Sequence, residues 1–166
     1  SLLAPTVTKD SVYANFVFGV SKGGDYRAIL IKAAMPRYPL CAYEGRSGKL
    51  KWAAHKSEKL KKKFSGKWFS LPSSPVLLHG TLIAEVQTSH LLVRSYLAAF
   101  DSETGEVKWI KYLCSNGTDR SMFHSEARGP LSTSLACSRG PRPTVYCCTN
   151  SGAVFALDAT SGEVRW

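Results

Sequence analysis

The chain has 166 residues, and its 22 Lys and Arg against 12 Asp and Glu give a formal net charge of +10. A composition of 44% hydrophobic and 20% charged residues excludes a disordered chain and predicts a globular one. No stretch approaches the roughly 18 apolar residues that a membrane-spanning helix needs. Membrane insertion of this segment is therefore excluded. The Ser1 start, without Met or a leader, suggests a segment of a longer protein.

The first part of the chain reads as four short strands. Apolar runs predict strands at 5–7 and 12–17, and a hairpin at 42–52. Residues 19–39, with Gly23-Gly24-Asp25 and two prolines, indicate a long insertion between the second and third strands. We therefore expect a first structural unit at 1–52.

A lysine-rich segment follows at 53–70, where we expect a crossover loop. Two interpretations stay open: a solvated loop, or a contact with a polyanion that weakens steeply with salt. The aromatic residues Phe64, Trp68 and Phe69 beside these lysines suit either base stacking or anchoring of the loop to the core. The candidate polyanion contacts are Lys59, Lys61, Lys62, Lys63 and Lys67.

The rest of the chain predicts two more units of the same kind. Strands at 74–78 and 81–86 precede a hairpin at 99–109, which gives a unit at 71–109. A crossover loop at 110–129 leads to strands at 131–135 and 144–148 and a hairpin at 156–166, a unit at 130–166. No segment shows a convincing helical period.

The three hairpins are copies of one motif, A-x-[DE]-x-x-[ST]-G-x-[LV]-[KR]-W. The closing tryptophans Trp52, Trp109 and Trp166 lie 57 residues apart in both intervals, 109 minus 52 and 166 minus 109. In each copy the acid, Asp101 or Asp158 in the last two, accepts hydrogen bonds from turn amides. The turn glycine supplies a positive φ. After the turn, Val or Leu and Trp are two apart and predict one shared face. The three turn glycines are Gly48, Gly105 and Gly162.

Four-stranded antiparallel units at this period are typical of β-propeller blades. The predicted fold class is all-β, a partial propeller of about three blades. Blades stack face to face, so an open arc leaves apolar faces uncovered at both ends. We expect the isolated chain to associate.

The motif resembles the PQQ (pyrroloquinoline quinone) type propeller repeat, most clearly at 144–158, V-Y-x-x-T-x-x-G-x-[LV]-x-A-L-D. The resemblance implies three consecutive blades of a ring that closes with seven or eight. It also implies that Trp and Gly of successive blades dock, and that the protein is extracytoplasmic or periplasmic. Two classes share the repeat: quinoprotein dehydrogenases with PQQ and Ca²⁺ on the axis, and non-catalytic propellers that include an outer-membrane assembly lipoprotein.

Cysteine chemistry bears on that choice. Five cysteines without C-x-x-C spacing do not indicate zinc. The resemblance makes Cys147 and Cys148 candidates for the adjacent-cysteine disulfide over the cofactor of quinoprotein alcohol dehydrogenases. Their place in a predicted strand, where neighbouring residues point to opposite faces, favours free, core-packed thiols instead.

No constellation of other polar residues indicates catalysis. Asp25, Asp119 and Glu126 lie in irregular segments and stay candidates for Ca²⁺ or a base. His124 is next to Ser125 and Glu126, but adjacency in sequence is not triad geometry. Asp101 and Asp158 recur in successive units, and a turn residue is needed in every blade whereas a catalytic residue is needed once.

The favoured function is a non-catalytic binding or scaffold module with a protein partner and the remaining blades of the same propeller. Recognition is expected in the segments 19–39, 53–70 and 110–129. The alternative is a fragment of a PQQ- and Ca-dependent dehydrogenase of alcohols or sugars. The third hypothesis is polyanion binding through the lysine-rich segment.

Overall fold

A computed structural model describes residues 3–16, 25–26, 29–30, 38–64, 69–89, 92–117, 134–149 and 151–166. Strands dominate these ranges. They are β1 (Thr6–Val7), β2 (Ser11–Asn15), β3 (Asp25–Tyr26), β4 (Ile29–Leu30), β5 (Leu40–Glu44), β6 (Leu50–Ala53), β7 (Phe69–Ser70), β8 (Val76–Leu78), β9 (Thr81–Ser89), β10 (Leu92–Asp101), β11 (Val107–Gly117), β12 (Leu135–Ser138), β13 (Thr144–Cys148) and β14 (Val154–Asp158). A 3-10 turn (Ala54–Lys56) and one helix, α1 (Glu58–Lys63), follow β6.

The strands form three antiparallel sheets, each made of neighbours in sequence, as expected of propeller blades. The first sheet has the order β1-β2-β5-β6, and the second β11-β10-β9-β7 with β8 also on β9. The third is β12-β13-β14, and Val164 adds an isolated bridge to Leu157. Strands β3 and β4 pair with each other inside the predicted insertion. The all-β propeller class is confirmed.

The middle sheet packs on both of its faces. On β9, Leu82 and Ala84 belong to a core shared with the first sheet, whereas Ile83 belongs to a core shared with the third. Successive side chains of a strand point to opposite faces, so one strand serves both cores. The three sheets therefore stack in chain order, with a hydrophobic core in each of the two gaps.

The predicted common face for Val and Trp after each turn is wrong. Val107 packs in the core toward the first sheet, while Trp109 packs toward the third. The register explains this: Phe100 pairs with Val107 and Ala99 with Trp109, so Lys108 is an extra residue at a bulge. One inserted residue reverses the facing of the residues after it. The same bulge occurs in the first sheet, where Ala42 pairs with Trp52 and Tyr43 with Leu50, so Lys51 is the extra residue.

Two segments predicted as crossover loops contain regular structure. Strand β11 continues past Trp109 to Gly117 and pairs with β10 across a second bulge at Leu113, so 110–117 belong to the second sheet. Helix α1 lies inside the lysine-rich segment, where no helix was expected. The Ser57 side chain accepts from the Leu60 amide, and Lys61, Lys62 and Lys63 occupy the last turn, where cations favour the helix dipole.

Candidate functional site: the contacts between blades and the basic helix

The repeated carboxylates hold the hairpin turns. Asp101 Oδ1 accepts from the amides of Glu103 (3.1 Å) and Thr104 (3.0 Å). Asp158 Oδ1 accepts in the same way from Thr160 (2.8 Å) and Ser161 (3.1 Å). Each acid also faces the basic residue before the closing Trp: Lys108 lies 3.4 Å from Asp101, and Arg165 lies 2.7 Å from Asp158. Through these contacts both carboxylates stabilise their hairpin turns.

The turn hydrogen bonds predict a pH dependence. Hydrogen bonds from the Thr104 amide and its neighbours lower the pKa of Asp101, and the Arg165 guanidinium with turn amides lowers that of Asp158. A lowered carboxyl pKa stabilises the fold above the unfolded value, about 3.9 for Asp. This contribution is lost as pH falls through the folded pKa.

We expect Asp101→Asn to flatten the acid limb of the stability profile. Asparagine keeps an oxygen that accepts from the turn amides but does not titrate. Chemical denaturation at a series of pH values from neutral to acid checks this, with Glu163→Gln, an exposed acid of the third hairpin, as control. A parallel acid limb in the Asp101 variant would contradict the assignment.

The tryptophans join neighbouring sheets by stacking on turn glycines. A Cβ on Gly105 would lie 2.5 Å from Trp52 Cδ2, and one on Gly162 would lie 2.7 Å from Trp109 Cδ2. Both glycines have φ near +70°, at +73° and +75°, which L side chains rarely adopt. Each indole ring thus occupies the space that a side chain would take.

Each indole N–H completes the contact. Trp52 Nε1 donates to the Ser102 carbonyl at 2.9 Å, and Trp109 Nε1 donates to the Ala159 carbonyl at 3.3 Å. Lys51 and Glu103 form an ion pair across the first gap. The Trp52 ring also stacks on Phe100 of the second sheet, with centroids 6.1 Å apart.

At the two ends of the stack the same residues have no such partner within the described chain. Gly48 has a φ of +68° and nothing within 4 Å of the position of a Cβ. Trp166 is 65% exposed, and its ring lies 6.3 Å from that of Tyr146 on its own sheet.

Cys147 and Cys148 lie on β13 as free thiols. Cys147 is fully buried in the core between the second and third sheets, and burial raises its pKa far above the ordinary value. Cys148 points the other way and is exposed, so the expectation that both are core-packed is wrong for Cys148. The pair does not fit the adjacent-cysteine disulfide that the resemblance to dehydrogenases implies, because the two thiols lie on opposite faces of a paired strand.

Helix α1, which carries four of the lysines, packs on an aromatic cluster of the second sheet. Leu60 and Phe64 are buried at 0% and 4% exposure. The Phe64 ring lies 5.6 Å from that of Phe69 and 5.0 Å from that of Tyr96. Phe64 therefore anchors the segment to the core, as one of the two interpretations predicted, and is not available for stacking on a base.

The lysines of this segment differ in their partners. Lys59 Nζ donates to the Val107 carbonyl at 2.7 Å and lies 3.7 Å from Glu106, which ties the helix to the turn of the second sheet. Lys61 pairs with Glu58 of the same helix at 2.7 Å. Lys62 and Lys63 are exposed. Lys67 and Trp68 lie outside the described residues.

The remaining candidates come together nowhere in the described structure. Asp119, His124 and Glu126 lie outside the described residues, and Asp25 lies on β3. Within the described ranges, no three His, Cys, Asp or Glu side chains are grouped so as to hold a metal ion. No helix in these ranges is long and apolar enough to cross a membrane.

A buried polar pair on β9 was not anticipated. Glu85 and Gln87 are both fully buried, and Gln87 Nε2 donates to Glu85 Oε1 at 3.0 Å. The Glu85 amide donates to Ser73 Oγ at 2.8 Å. Strand alternation places Glu85 and Gln87 on the same face of β9 as Ile83, and the sequence alone shows this alternation. The sequence does not show that the third sheet covers that face.

Solved structures with a similar fold include alcohol and methanol dehydrogenases. Quinohemoprotein alcohol dehydrogenases of Pseudomonas putida HK5 (15% identity, TM-score 0.54) and Comamonas testosteroni (16%, 0.57) match 98% and 99% of this chain. A europium-containing methanol dehydrogenase matches 99% of it at 13% identity and a TM-score of 0.56. This chain spans only 25%, 27% and 31% of their lengths, in that order. The likeness shows the fold alone.

The sequence comparison with families covers nearly the whole chain. No curated protein matches the chain. The family model described as outer membrane protein assembly factor BamB matches residues 4–166, so this chain of PQQ-type propeller blades belongs to that family.

Proposed function

We propose that the chain is a non-catalytic binding or scaffold module that acts in protein–protein interaction outside the cytoplasm. The observation that carries this proposal is that the residues repeated in each blade have structural roles. Asp101 and Asp158 hold turns, and Trp52 and Trp109 join sheets, so the residues that recur build a rigid framework. The family description, an assembly factor, supports a role in binding other proteins.

The framework is proposed to comprise three blades, at 1–52, at 71–109 with β11 extended to Gly117, and at 130–166. The crossover 53–70, the part of the predicted crossover 110–129 that follows β11, and the insertion 19–39 are proposed to carry recognition, because segments between framework strands are free to vary. Helix α1 supports this for the first crossover. Its apolar residues are buried on the second sheet, whereas Lys62 and Lys63 face solvent.

The dehydrogenase alternative predicts binding of PQQ and Ca²⁺. We expect no change in the PQQ absorbance when the protein is titrated with PQQ and Ca²⁺, and no reduction of an acceptor dye with alcohols or sugars. A quinoprotein alcohol dehydrogenase assayed alongside is the positive control. A saturable absorbance change would overturn the non-catalytic proposal.

Polyanion binding is a second candidate, favoured by the exposure of Lys62 and Lys63 on one anchored helix. A polyanion contact here would be electrostatic, because the ring of Phe64 is buried and cannot stack on a base. The ion pairs of Lys59 with Glu106 and of Lys61 with Glu58 reduce the net positive charge that α1 presents to a polyanion.

For this candidate we expect replacement of Lys61, Lys62 and Lys63 by Gln to lower the salt at which the protein elutes from heparin. On a short DNA duplex, the slope of log affinity against log salt falls by about 2–3 when three phosphate contacts are lost. Gln keeps the helix propensity of Lys. The matched control removes the same charge at the exposed residues Lys9, Lys49 and Lys111. Equal losses in both triple variants would reduce the effect to net charge and contradict a specific site.

A further inference from the structure

Strand β11 forms one edge of the second sheet. It has 11 residues, and it pairs with β10 on one side and with no described strand on the other. The sheets of this chain stack through their faces, so any further blades would stack on faces rather than on this edge. Unpaired N–H and C=O groups along a strand edge are able to pair with a strand of another chain.

The register shows which backbone groups of β11 point away from β10. In the third hairpin the Ala156 amide donates to the Trp166 carbonyl at 2.9 Å, which marks a hydrogen-bonded pair. Trp109 is the equivalent residue of β11, so its N–H and C=O point toward β10. Along antiparallel strands such pairs alternate with pairs whose N–H and C=O point outward. Ile110 and Tyr112 are therefore the residues whose backbone groups face away from the sheet.

A side chain from outside the sheet already binds this edge. Lys59 of α1 donates from Nζ to the carbonyl of Val107, the first residue of β11, at 2.7 Å. The carbonyl accepts this hydrogen bond in addition to the pairing of β11 with β10. The backbone of β11 thus accepts hydrogen bonds from groups that are not part of its sheet.

Tyr112 provides an aromatic side chain at the same edge. It is 48% exposed, and its ring packs against that of Tyr96 with centroids 5.4 Å apart. The Tyr96 ring also contacts the Phe64 ring, at the end of α1, with centroids 5.0 Å apart. A tyrosine that is held in this way offers a large contact area and loses little conformational entropy when a partner covers it.

The surroundings of Tyr112 are basic. Helix α1 ends beside the Tyr96–Tyr112 pair with Lys62 and Lys63 exposed, and β11 contains no acidic residue. A basic surface favours encounter with an acidic partner. A nucleic acid or another polyanion would meet the same lysines, but it has no polypeptide backbone that could pair with a strand edge. The edge therefore favours an acidic polypeptide.

Building on the proposed function in protein–protein interaction, we propose that an extended acidic segment of a partner protein adds as a strand to β11 at 110–115. The main chain of the segment pairs with the outward groups of Ile110 and Tyr112, and one of its side chains packs on the Tyr112 ring. Its carboxylates face Lys62 and Lys63. In such strand addition, main-chain hydrogen bonds give affinity and alternate side chains give specificity.

A synthetic peptide tests this site on the whole chain. The probe is a labelled ten-residue peptide with blocked ends in which Val and Glu alternate, and fluorescence anisotropy measures its affinity. The control peptide has Pro in place of every Val, so it keeps the carboxylates but does not form a strand. We expect the Val–Glu peptide to bind, more weakly as salt is added, and the Pro–Glu peptide to bind at least about tenfold more weakly. Bound Val–Glu peptide should slow amide hydrogen exchange in β11, measured by mass spectrometry.

Variants of the edge locate the contact. Tyr112→Ala should weaken binding of the Val–Glu peptide by about tenfold. Tyr112→Pro should weaken it further, because it removes the outward amide as well as the ring. Lys62→Gln and Lys63→Gln should each weaken it by about two- to fivefold. The control Tyr146→Ala removes a ring that is 37% exposed on β13, a strand with partners on both sides, and should leave binding unchanged.

Several results would overturn the site. Absence of Val–Glu binding would mean that the edge is protected, as lysines and bulges protect other strand edges. Equal binding of both peptides, with losses only in the lysine variants, would assign the surface to polyanions. Unchanged affinity in Tyr112→Ala would also contradict the site, and this variant and the two peptides decide the question even if Tyr112→Pro does not fold. The titration with PQQ tests the non-catalytic function separately, so failure of the peptide leaves that function standing.

Discussion

Gly105→Val is expected to lower the free energy of unfolding by about 2–5 kcal/mol. About 1–2 kcal/mol comes from placing a side chain at a φ of +73°. A further ~1–3 kcal/mol comes from overpacking, because the new Cβ would lie 2.5 Å from the ring of Trp52, which is 9% exposed. Urea denaturation at low protein concentration measures the loss.

Gly48→Val is the matched control for this prediction. It occupies the same repeat position at a φ of +68°, but nothing lies within 4 Å of its Cβ position. We expect only the conformational cost, about 1–2 kcal/mol. The difference between the two variants isolates the contact between the sheets. If both variants lost the same stability, the indole–glycine contact would not hold the first two blades together.

The resemblance to the PQQ-type repeat implied that Trp and Gly of successive blades dock, and the recurrence of these residues has a physical reason. Every blade needs a turn glycine at positive φ and a tryptophan at a constant number of residues after it. The same residue types therefore recur, as Gly105 and Gly162 do. The fold class and the acids that hold the turns follow from the same periodicity. The strand Thr144–Cys148 was also predicted with the bounds that the structure shows.

The features that the sequence did not predict depend on pairing across strands and on neighbours in space. The bulge at Lys108 reverses the facing of Val107 and Trp109, but V-K-W alone reads as simple alternation. Helix α1 has six residues, fewer than two turns, which is too short for a helical period to show. Its start was nevertheless visible in Ser57 followed by Glu58, a capping residue and a first-turn acid.

The exposure of Cys148 illustrates the same limit for the candidate site. Strand alternation gives opposite faces to Cys147 and Cys148, but which face is buried depends on which side has a neighbouring sheet. In the described chain only the side of Cys147 has one. Side-chain chemistry at this position therefore follows from the stacking order, which a single strand does not encode.

Trp52→Ala is expected to cost about 3–5 kcal/mol and to make unfolding less cooperative. The side chain is 9% exposed, and it contacts the rings of Tyr13 and Phe100 in the core between the first two sheets. Truncation of a large buried aromatic removes its transfer free energy and leaves a cavity. It also leaves the Ser102 carbonyl without the indole donor.

Trp166→Ala, at the equivalent repeat position, separates the contribution of the contact between sheets from that of the tryptophan side chain itself. Trp166 has the same place in the repeat but is 65% exposed, so its truncation should change the free energy of unfolding by less than about 1 kcal/mol. Stacked repeats derive much of their stability from nearest-neighbour interfaces. Loss of the Trp52 contact should thus release the first sheet before the other two. Calorimetry should show a broadened or split transition for Trp52→Ala and a single one for Trp166→Ala; equal transitions would mean that the blades are not coupled through their tryptophans.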